Sequence, residues 1–255
     1  MNFTFKFLSQ KFPQDKILTL IKGFDSIDGR PLGDGKRNRI KIFNLDNEEI
    51  NIKSFKVPNL INKIVYKYFR KSKARRSFEY ANDLLKNEIG TPYPIAFHEE
   101  YSIFGLEKSY YVSEHLETEL TFRELVTIPN YPDHENILRK FTKFSFDLHE
   151  KGIEFLDHSP GNTLIKKVGE GQYDFFLVDL NRMNFHPTMN FESRMKNLRR
   201  LTPKQEMIVI MSSEYSKWYN KSEAVIFDAL WKQTTEFQKK FARKKRIKKK
   251  LKFWK

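Results

Sequence analysis

Phe155-Leu156-Asp157-His158-Ser159-Pro160-Gly161-Asn162, followed by Val178-Asp179-Leu180-Asn181, is the stretch on which the reading of this chain turns. An Asp precedes an Asn by five positions, and a second Asp closes the apolar run Phe175-Phe176-Leu177-Val178. Phosphoryl transfer uses such a set. One carboxylate receives the proton of an acceptor hydroxyl, and an amide oxygen and a second carboxylate hold magnesium on the nucleotide phosphates. Singly, each residue is also ordinary turn or cap chemistry. Their order, the Pro160-Gly161 turn between them and the apolar strand delivering Asp179 favour the catalytic reading. Asp157 is then the base, and Asn162 and Asp179 are the metal ligands.

Upstream residues extend the pattern. Ile50-Asn51-Ile52-Lys53 closes an alternating strand in the manner of V-A-I-K, whose Lys grips the α- and β-phosphates. Taken alone, Lys53 also reads as a solvent-facing strand residue. Lys56 is a rival, but it lies just before the Val57-Pro58 break. Glu79, in Arg75-Arg76-Ser77-Phe78-Glu79, is expected to orient Lys53 as its ion-pair partner, with Glu88 as the alternative. A surface role in i,i+4 pairs with Arg75 is the plainer reading of Glu79. Gly33-Asp34-Gly35-Lys36-Arg37-Asn38 reads equally as a turn over phosphates, through Gly33 and Gly35, and as a plain hairpin. The connector Ser113-Glu114-His115-Leu116 offers backbone groups of Glu114 and Leu116 to adenine.

A chain of 255 residues with 39% hydrophobic residues, 24 Phe and 11 Tyr can bury a full core. It has no Cys, which excludes disulfide and thiolate chemistry, and its six His lack paired metal-ligand spacing. Of the net charge of +15, eleven cations and no acid sit in residues 239–255, leaving +4 for residues 1–238. No apolar run reaches the ~18–20 residues of a membrane span. The N-terminus lacks the apolar core and cleavage site of a signal peptide, so a cytoplasmic protein is expected.

From Ile17 to Val57 the pattern predicts strands and turns, with Asp46-Asn47 a turn before Ile50. Residues 59–88 read as helix, ended by Gly90-Thr91-Pro92-Tyr93-Pro94. Short strands follow around 95–98 and 109–113. Residues 135–151 fit a long amphipathic helix stopped by Gly152. A hairpin pivots on Gly169-Glu170-Gly171, and the remainder is helical. The expected class is α+β, in two lobes around a cleft. Residues 1–116 form an antiparallel β-rich nucleotide-binding lobe with one long helix. Residues 117–238 form a helical catalytic lobe, and 239–255 a polybasic tail.

At these residues the chain resembles the lipopolysaccharide-core kinase family, the Kdo and heptose kinases of protein-kinase-like fold. More loosely, it resembles aminoglycoside phosphotransferases and protein kinases. The similarity runs from about residue 20 to about residue 200. It rests on Lys71-Ser72-Lys73-Ala74-Arg75-Arg76-Ser77-Phe78-Glu79, Gly90-Thr91-Pro92-Tyr93-Pro94, Phe155–Asn162 and Leu177-Val178-Asp179-Leu180-Asn181-Arg182. The resemblance implies an ATP- and Mg2+-dependent enzyme that phosphorylates a sugar hydroxyl of the lipid A–core glycolipid. Its place would be peripheral, on the cytoplasmic face of the inner membrane. Two positions depart from the family pattern. The His or Arg that often precede the catalytic Asp are Phe155 and Leu156, and a Lys or His two residues after it is Ser159. Either the rate is modest, or Arg182 or Lys166 supplies the missing charge.

A protein Ser/Thr kinase is the alternative enzyme, but no A-P-E motif follows Asp179 and little chain remains for peptide docking. A nucleic-acid-binding protein is suggested by the pI of about 9.7, yet the charge is confined to one tail and no such motif is present. No nucleic-acid partner is expected. In the tail, Ile247, Leu251 and Trp254 fall at i, i+4, i+7. With Lys244 and Lys248 among the surrounding cations, this predicts a helix lying on an anionic membrane or on the acceptor's phosphates.

Overall fold

The structure is a computed structural model, which describes residues 2–33, 35 and 38–253. The chain divides into two units, Met1–Glu117 with Asp179–Arg182, and Thr118–Val178 with Met183–Lys255. The short segment carrying Asp179 therefore belongs to the first unit, though it is distant in sequence.

The first unit runs β1 (Asn2–Phe7), α1 (Gln14–Lys22), β2 (Arg30–Pro31), β3 (Asn38–Leu45), β4 (Glu48–Phe55), α2 (Leu60–Tyr68), α3 (Lys73–Lys86), β5 (Pro94–Ser102) and β6 (Gly105–Glu114). Its strands form one antiparallel sheet in the order β1-β5-β6-β4-β3-β2. Alternation along β4 sorts side chains between the two faces. Ile50 and Ile52 are fully buried in a cluster with Ile17, Ile21 and Phe24, whereas Phe55 packs with Ala74, Phe78 and Phe97. Lys53 shares the Phe55 face, and its Nζ lies 5.3 Å from that ring's centroid. Asp46 and Asn47, at φ 55° and 66°, form the two-residue turn between β3 and β4.

Two expectations for this unit change. Residues 17–22 belong to helix α1 rather than to a strand, because Ile17 and Ile21, one helical turn apart, both bury against the sheet. The single long helix over 59–88 is two helices. Ser72 opens the second by accepting the Arg75 N–H at 3.1 Å, which satisfies a donor that a helix start leaves free.

The second unit runs β7 (Leu120–Thr121), α4 (Phe122–Thr127), α5 (His134–Glu150), β8 (Ile153–Phe155), a 3-10 turn (Pro160–Asn162), β9 (Thr163–Gly169), β10 (Gln172–Leu177), β11 (Met183–Phe185), α6 (Phe191–Leu198), α7 (Gln205–Ser216) and α8 (Glu223–Phe253). The strands pair as β10-β9-β7 and β11-β8. Leu138 and Phe141 of α5 pack with Phe122, Met195, Leu198, Tyr215 and Leu230 into the helical core. Gly152 ends α5 at φ 68°, and a Cβ there would stand 1.9 Å from the His186 carbonyl oxygen. Only glycine lets β8 meet β11 at that point.

Residues 239–253 are not a separate tail but the continuation of α8, a helix of 31 residues. Ile226, Leu230 and Thr234 bury its first half, while residues 241–250 are exposed on every side. Trp254 lies outside the described residues. Among the described residues no helix is long and apolar enough to cross a membrane.

Candidate functional site

In the first unit, the Lys53 ammonium lies 2.7 Å from Asp179 Oδ1. Asn181 Nδ2 donates to the same oxygen at 2.7 Å. Both donors use Oδ1, so Oδ2 keeps its lone pairs for another ligand. Asp179 sits at φ 60°, a left-handed conformation that costs an L-residue roughly 1–2 kcal/mol and that Asp tolerates better than most. The surrounding bonds hold it there. Arg76 of α3, buried, donates to the Asn181 carbonyl at 2.7 Å, and the Asn181 N–H binds Asp179 O at 3.0 Å.

The expected Lys53–Glu79 pair is not formed. Glu79 is held by Lys71 Nζ at 2.8 Å and Arg75 Nε at 3.0 Å. Burial pushes its carboxyl up, but those two cations outweigh burial and hold it below the usual carboxylate range. The cause is local. Arg75 lies one helical turn before Glu79 and reaches it without leaving the helix. Instead of a Glu, α3 contributes Arg76 to the Asp179 segment.

Other expected positions in this unit fall as follows. Gly33 and Gly35 sit at φ 83° and 63° in the turn between β2 and β3. Asp34, Lys36 and Arg37 of that turn lie outside the described residues. The Glu114 N–H binds Tyr93 O and the His115 N–H binds Glu49 O, both at 2.9 Å. The Glu114 carbonyl and the Leu116 N–H, two positions apart, are an acceptor and a donor of the kinds that the edge of a purine takes. Lys56 and Arg182 are exposed. Glu49, His115 and Glu117 bring ligand atoms within 4.8 Å of one another, but Arg30 already binds both Glu49 oxygens at 2.7 and 2.8 Å.

In the second unit, Asp157 follows β8 and Asn162 closes the 3-10 turn. Asn162 Nδ2 donates to the Asp157 carbonyl at 2.8 Å, which leaves its Oδ1 as the atom able to bind a cation. The Asn162 carbonyl accepts the Val178 N–H at 3.0 Å, and the next residue in the chain is Asp179. Arg200 Nη1 reaches Asp157 Oδ1 at 2.6 Å and the Leu156 carbonyl at 3.2 Å. Its guanidinium also lies 5.7 Å from the ring of Phe237 on α8.

A buried polar chain supports this loop. Asn197 of α6 donates to Phe155 O at 2.8 Å, and its Oδ1 accepts from His149 at 3.1 Å and from His158 at 3.2 Å. Tyr215 completes the chain at 2.9 Å from His149 Nδ1. Burial is the main force pushing His149 down to about 3 and His158 to about 4. The Asn197 hydrogen bond opposes it at both rings, and nearby cations assist it. Both rings are thus neutral at pH 7. At the loop itself, a Cβ on Gly161 would lie 2.4 Å from Arg123 Nη2, so the Arg123 guanidinium rests on the loop backbone. Arg123 and Arg200 lie beside the Asp157–Asn162 loop, and Lys166 sits on β9 opposite Asp174. No local spacing in the sequence announces Arg76, Arg123, Asn197 or Arg200.

The family model for lipopolysaccharide kinases (Kdo/WaaP) matches residues 24–221. The chain belongs to this family. As a member it is a kinase-type phosphotransferase, and kinase membership implies use of ATP. Among solved structures, WaaP in complex with acyl carrier protein matches with a TM-score of 0.61 and 14% identity, covering 92% of this chain and 99% of that one. At that identity the likeness concerns the fold, which is kinase-like, with an antiparallel sheet and a helical part. No curated protein matches the sequence. Within this lipopolysaccharide kinase, Lys53 with Asp179 and Asp157 with Asn162 are the candidate site groups.

Proposed function

We propose that the protein transfers the γ-phosphoryl group of ATP to a sugar hydroxyl, of Kdo or heptose, in the lipid A–core region of lipopolysaccharide. The observation that carries this is the Lys53–Asp179 contact of 2.7 Å in a chain that matches the family over residues 24–221. An ammonium able to bind phosphate beside a carboxylate able to bind a metal supports this reading. Asp157 accepts the proton of the sugar hydroxyl as its oxygen attacks phosphorus, and ADP leaves. Arg200 keeps the receiving carboxylate oriented. Lys53 binds the nucleotide phosphates, and Glu114 O and Leu116 N–H bind adenine.

Asn162 Oδ1 and the Asp179 carboxylate are hard oxygen donors of the kind Mg2+ takes. Mg2+ held by such donors would neutralise phosphate charge. The loop lacks a Lys or His at Ser159, and the Arg123 guanidinium resting on Gly161 supports a compensating cation there.

The acceptor's lipid anchor places the reaction at a membrane surface, on the cytoplasmic face where ATP is available. The exposed distal part of α8, with Lys244 and Lys248, supports peripheral attachment there. The solved neighbour's complex with acyl carrier protein makes a protein partner of that kind a second candidate for binding.

The test is mass spectrometry of the lipid A–core fraction after incubation with ATP, Mg2+ and either wild-type protein or Asp157→Ala. One added phosphate on Kdo or heptose, present with wild type alone, is expected. Its absence with wild type, or transfer to protein instead, overturns the reading.

A further inference from the structure

Helix α2 is built inside out. Lys63 and Lys67, one turn apart, face the β5–β6 hairpin. Lys63 pairs with Glu107, and Lys67 Nζ donates to the carbonyls of Ser102 and Ile103 at 3.3 and 3.2 Å. The helix backbone lies so close to the hairpin that a Cβ on Gly105 would stand 2.4 Å from the Lys63 carbonyl oxygen. With its cations turned inward, the helix presents Ile61, Ile64 and Tyr68, at i, i+3 and i+7, to solvent at 73%, 44% and 66% exposure. Phe69 at its end and Ile103 and Phe104 on the hairpin turn are 82%, 82% and 60% exposed.

Single exposed apolar residues require no explanation, but six large ones on two adjoining elements do. The charge along α2 and its flanks is predominantly positive, although Glu107 pairs with Lys63 and Glu79 with Lys71. Residues 56–76 hold eight Lys or Arg and no acid, and Lys56, Arg70 and Lys71 are exposed. An apolar surface flanked by the exposed cations Lys56 and Arg70 matches one environment in both respects. An anionic bilayer offers an acyl layer beneath a plane of phosphates.

We propose that α2 and the β5–β6 turn form a membrane-insertion surface. Ile61, Ile64, Tyr68, Phe69, Ile103 and Phe104 enter the headgroup–acyl boundary, and Lys56 and Arg70 bind lipid phosphates. This surface belongs to the first unit and is independent of the basic end of α8. It deepens the proposed function by naming the face that meets the acceptor's membrane, but its test needs no nucleotide and no phosphoryl transfer.

The chain has no cysteine, so Phe104→Cys and, separately, Val168→Cys each provide one site for a polarity-sensitive dye. Val168, 54% exposed on β9, is the control. Full-length labelled protein is mixed with vesicles of phosphatidylcholine containing phosphatidylglycerol, and with vesicles of phosphatidylcholine alone. On the anionic vesicles the dye at 104 shifts to the blue and is quenched by acyl-chain nitroxides, while the dye at 168 is unchanged. Replacing Ile61, Phe69 and Ile103 together with Ser lowers vesicle partitioning about ten-fold or more and leaves ATP binding intact. A dye at 104 that stays in water while the protein sediments, or undiminished binding by the triple variant, overturns the proposal. Failure of the wild type to bind anionic vesicles does so too. A shift produced by an acidic protein and not by vesicles also overturns it and marks a protein-docking face instead. Vesicle insertion without sugar phosphorylation would leave this inference standing and remove the sugar-kinase reading.

Discussion

Arg200 Nη1 lies 2.6 Å from Asp157 Oδ1 and 3.2 Å from the Leu156 carbonyl, so one guanidinium grips both the carboxylate and the backbone that carries it. Asp157→Ala is expected to lower turnover by roughly 10²–10⁴ with ATP binding retained, because the base acts on the acceptor. Arg200→Ala should lower kcat by about 10-fold or more through misorientation. Arg200→Lys should recover part of that loss, since it keeps the charge and loses the second contact. Full kcat in Arg200→Ala would reduce Arg200 to a structural contact.

On the proposed reading Lys53 and Asp179 bind the nucleotide, so Lys53→Met and Asp179→Asn should both weaken Mg2+-ATP binding in calorimetry. Lys56→Met should leave it unchanged, because that side chain is exposed beyond the end of β4. Glu79→Gln should change it little, because Glu79 is bound to Lys71 and Arg75 rather than to Lys53. A loss with Glu79→Gln as large as with Lys53→Met would mean that Glu79 does orient Lys53 when nucleotide is bound.

The two buried histidines predict acid sensitivity. Folded, they titrate near 3 and 4; unfolded, near the ordinary value of about 6.5. Below ~6.5 the unfolded chain binds protons that the folded one refuses. Stability is therefore complete above ~6.5 and falls as pH drops toward 4. The loss between pH 6.5 and 5 reaches as much as ~3 kcal/mol for the pair. Urea midpoints measured across that interval, above the carboxylate range, should decline steadily. A flat profile would show that solvent reaches these rings.

Two glycines at positive φ should respond differently to alanine. At Gly152 the new Cβ meets the His186 carbonyl at 1.9 Å, so Gly152→Ala should cost roughly 2–4 kcal/mol and lower Tm markedly. At Gly33 nothing lies within 4 Å, and Gly33→Ala should cost only the ~1–2 kcal/mol of the left-handed backbone. Similar melting shifts for both would contradict the packing at β8 and β11.

Truncation after Lys240 removes the part of α8 whose described side chains are all exposed as far as Lys250, so Tm should not move. Binding to phosphatidylglycerol vesicles should lose its salt-sensitive component. Sedimentation unchanged in low and high salt would make the basic end of α8 a solvated helix only.

Sequence alone determined what neighbouring residues settle among themselves. The Asp157–Asn162 loop, the Asp46-Asn47 turn and helix α5 with its Gly152 stop were legible because their chemistry closes within a few positions. Tertiary structure decided the partners. Lys53 meets Asp179 across 126 positions and Asp157 meets Arg200 across 43, and no local spacing encodes such meetings. Glu79 could not be assigned from sequence because two cations near it, Arg75 and Lys71, compete for the same carboxylate, and distance in the folded chain selects between them and Lys53. Helix α1 was hidden for the same reason: Ile17 and Ile21 read as strand residues until a sheet face is present to bury both.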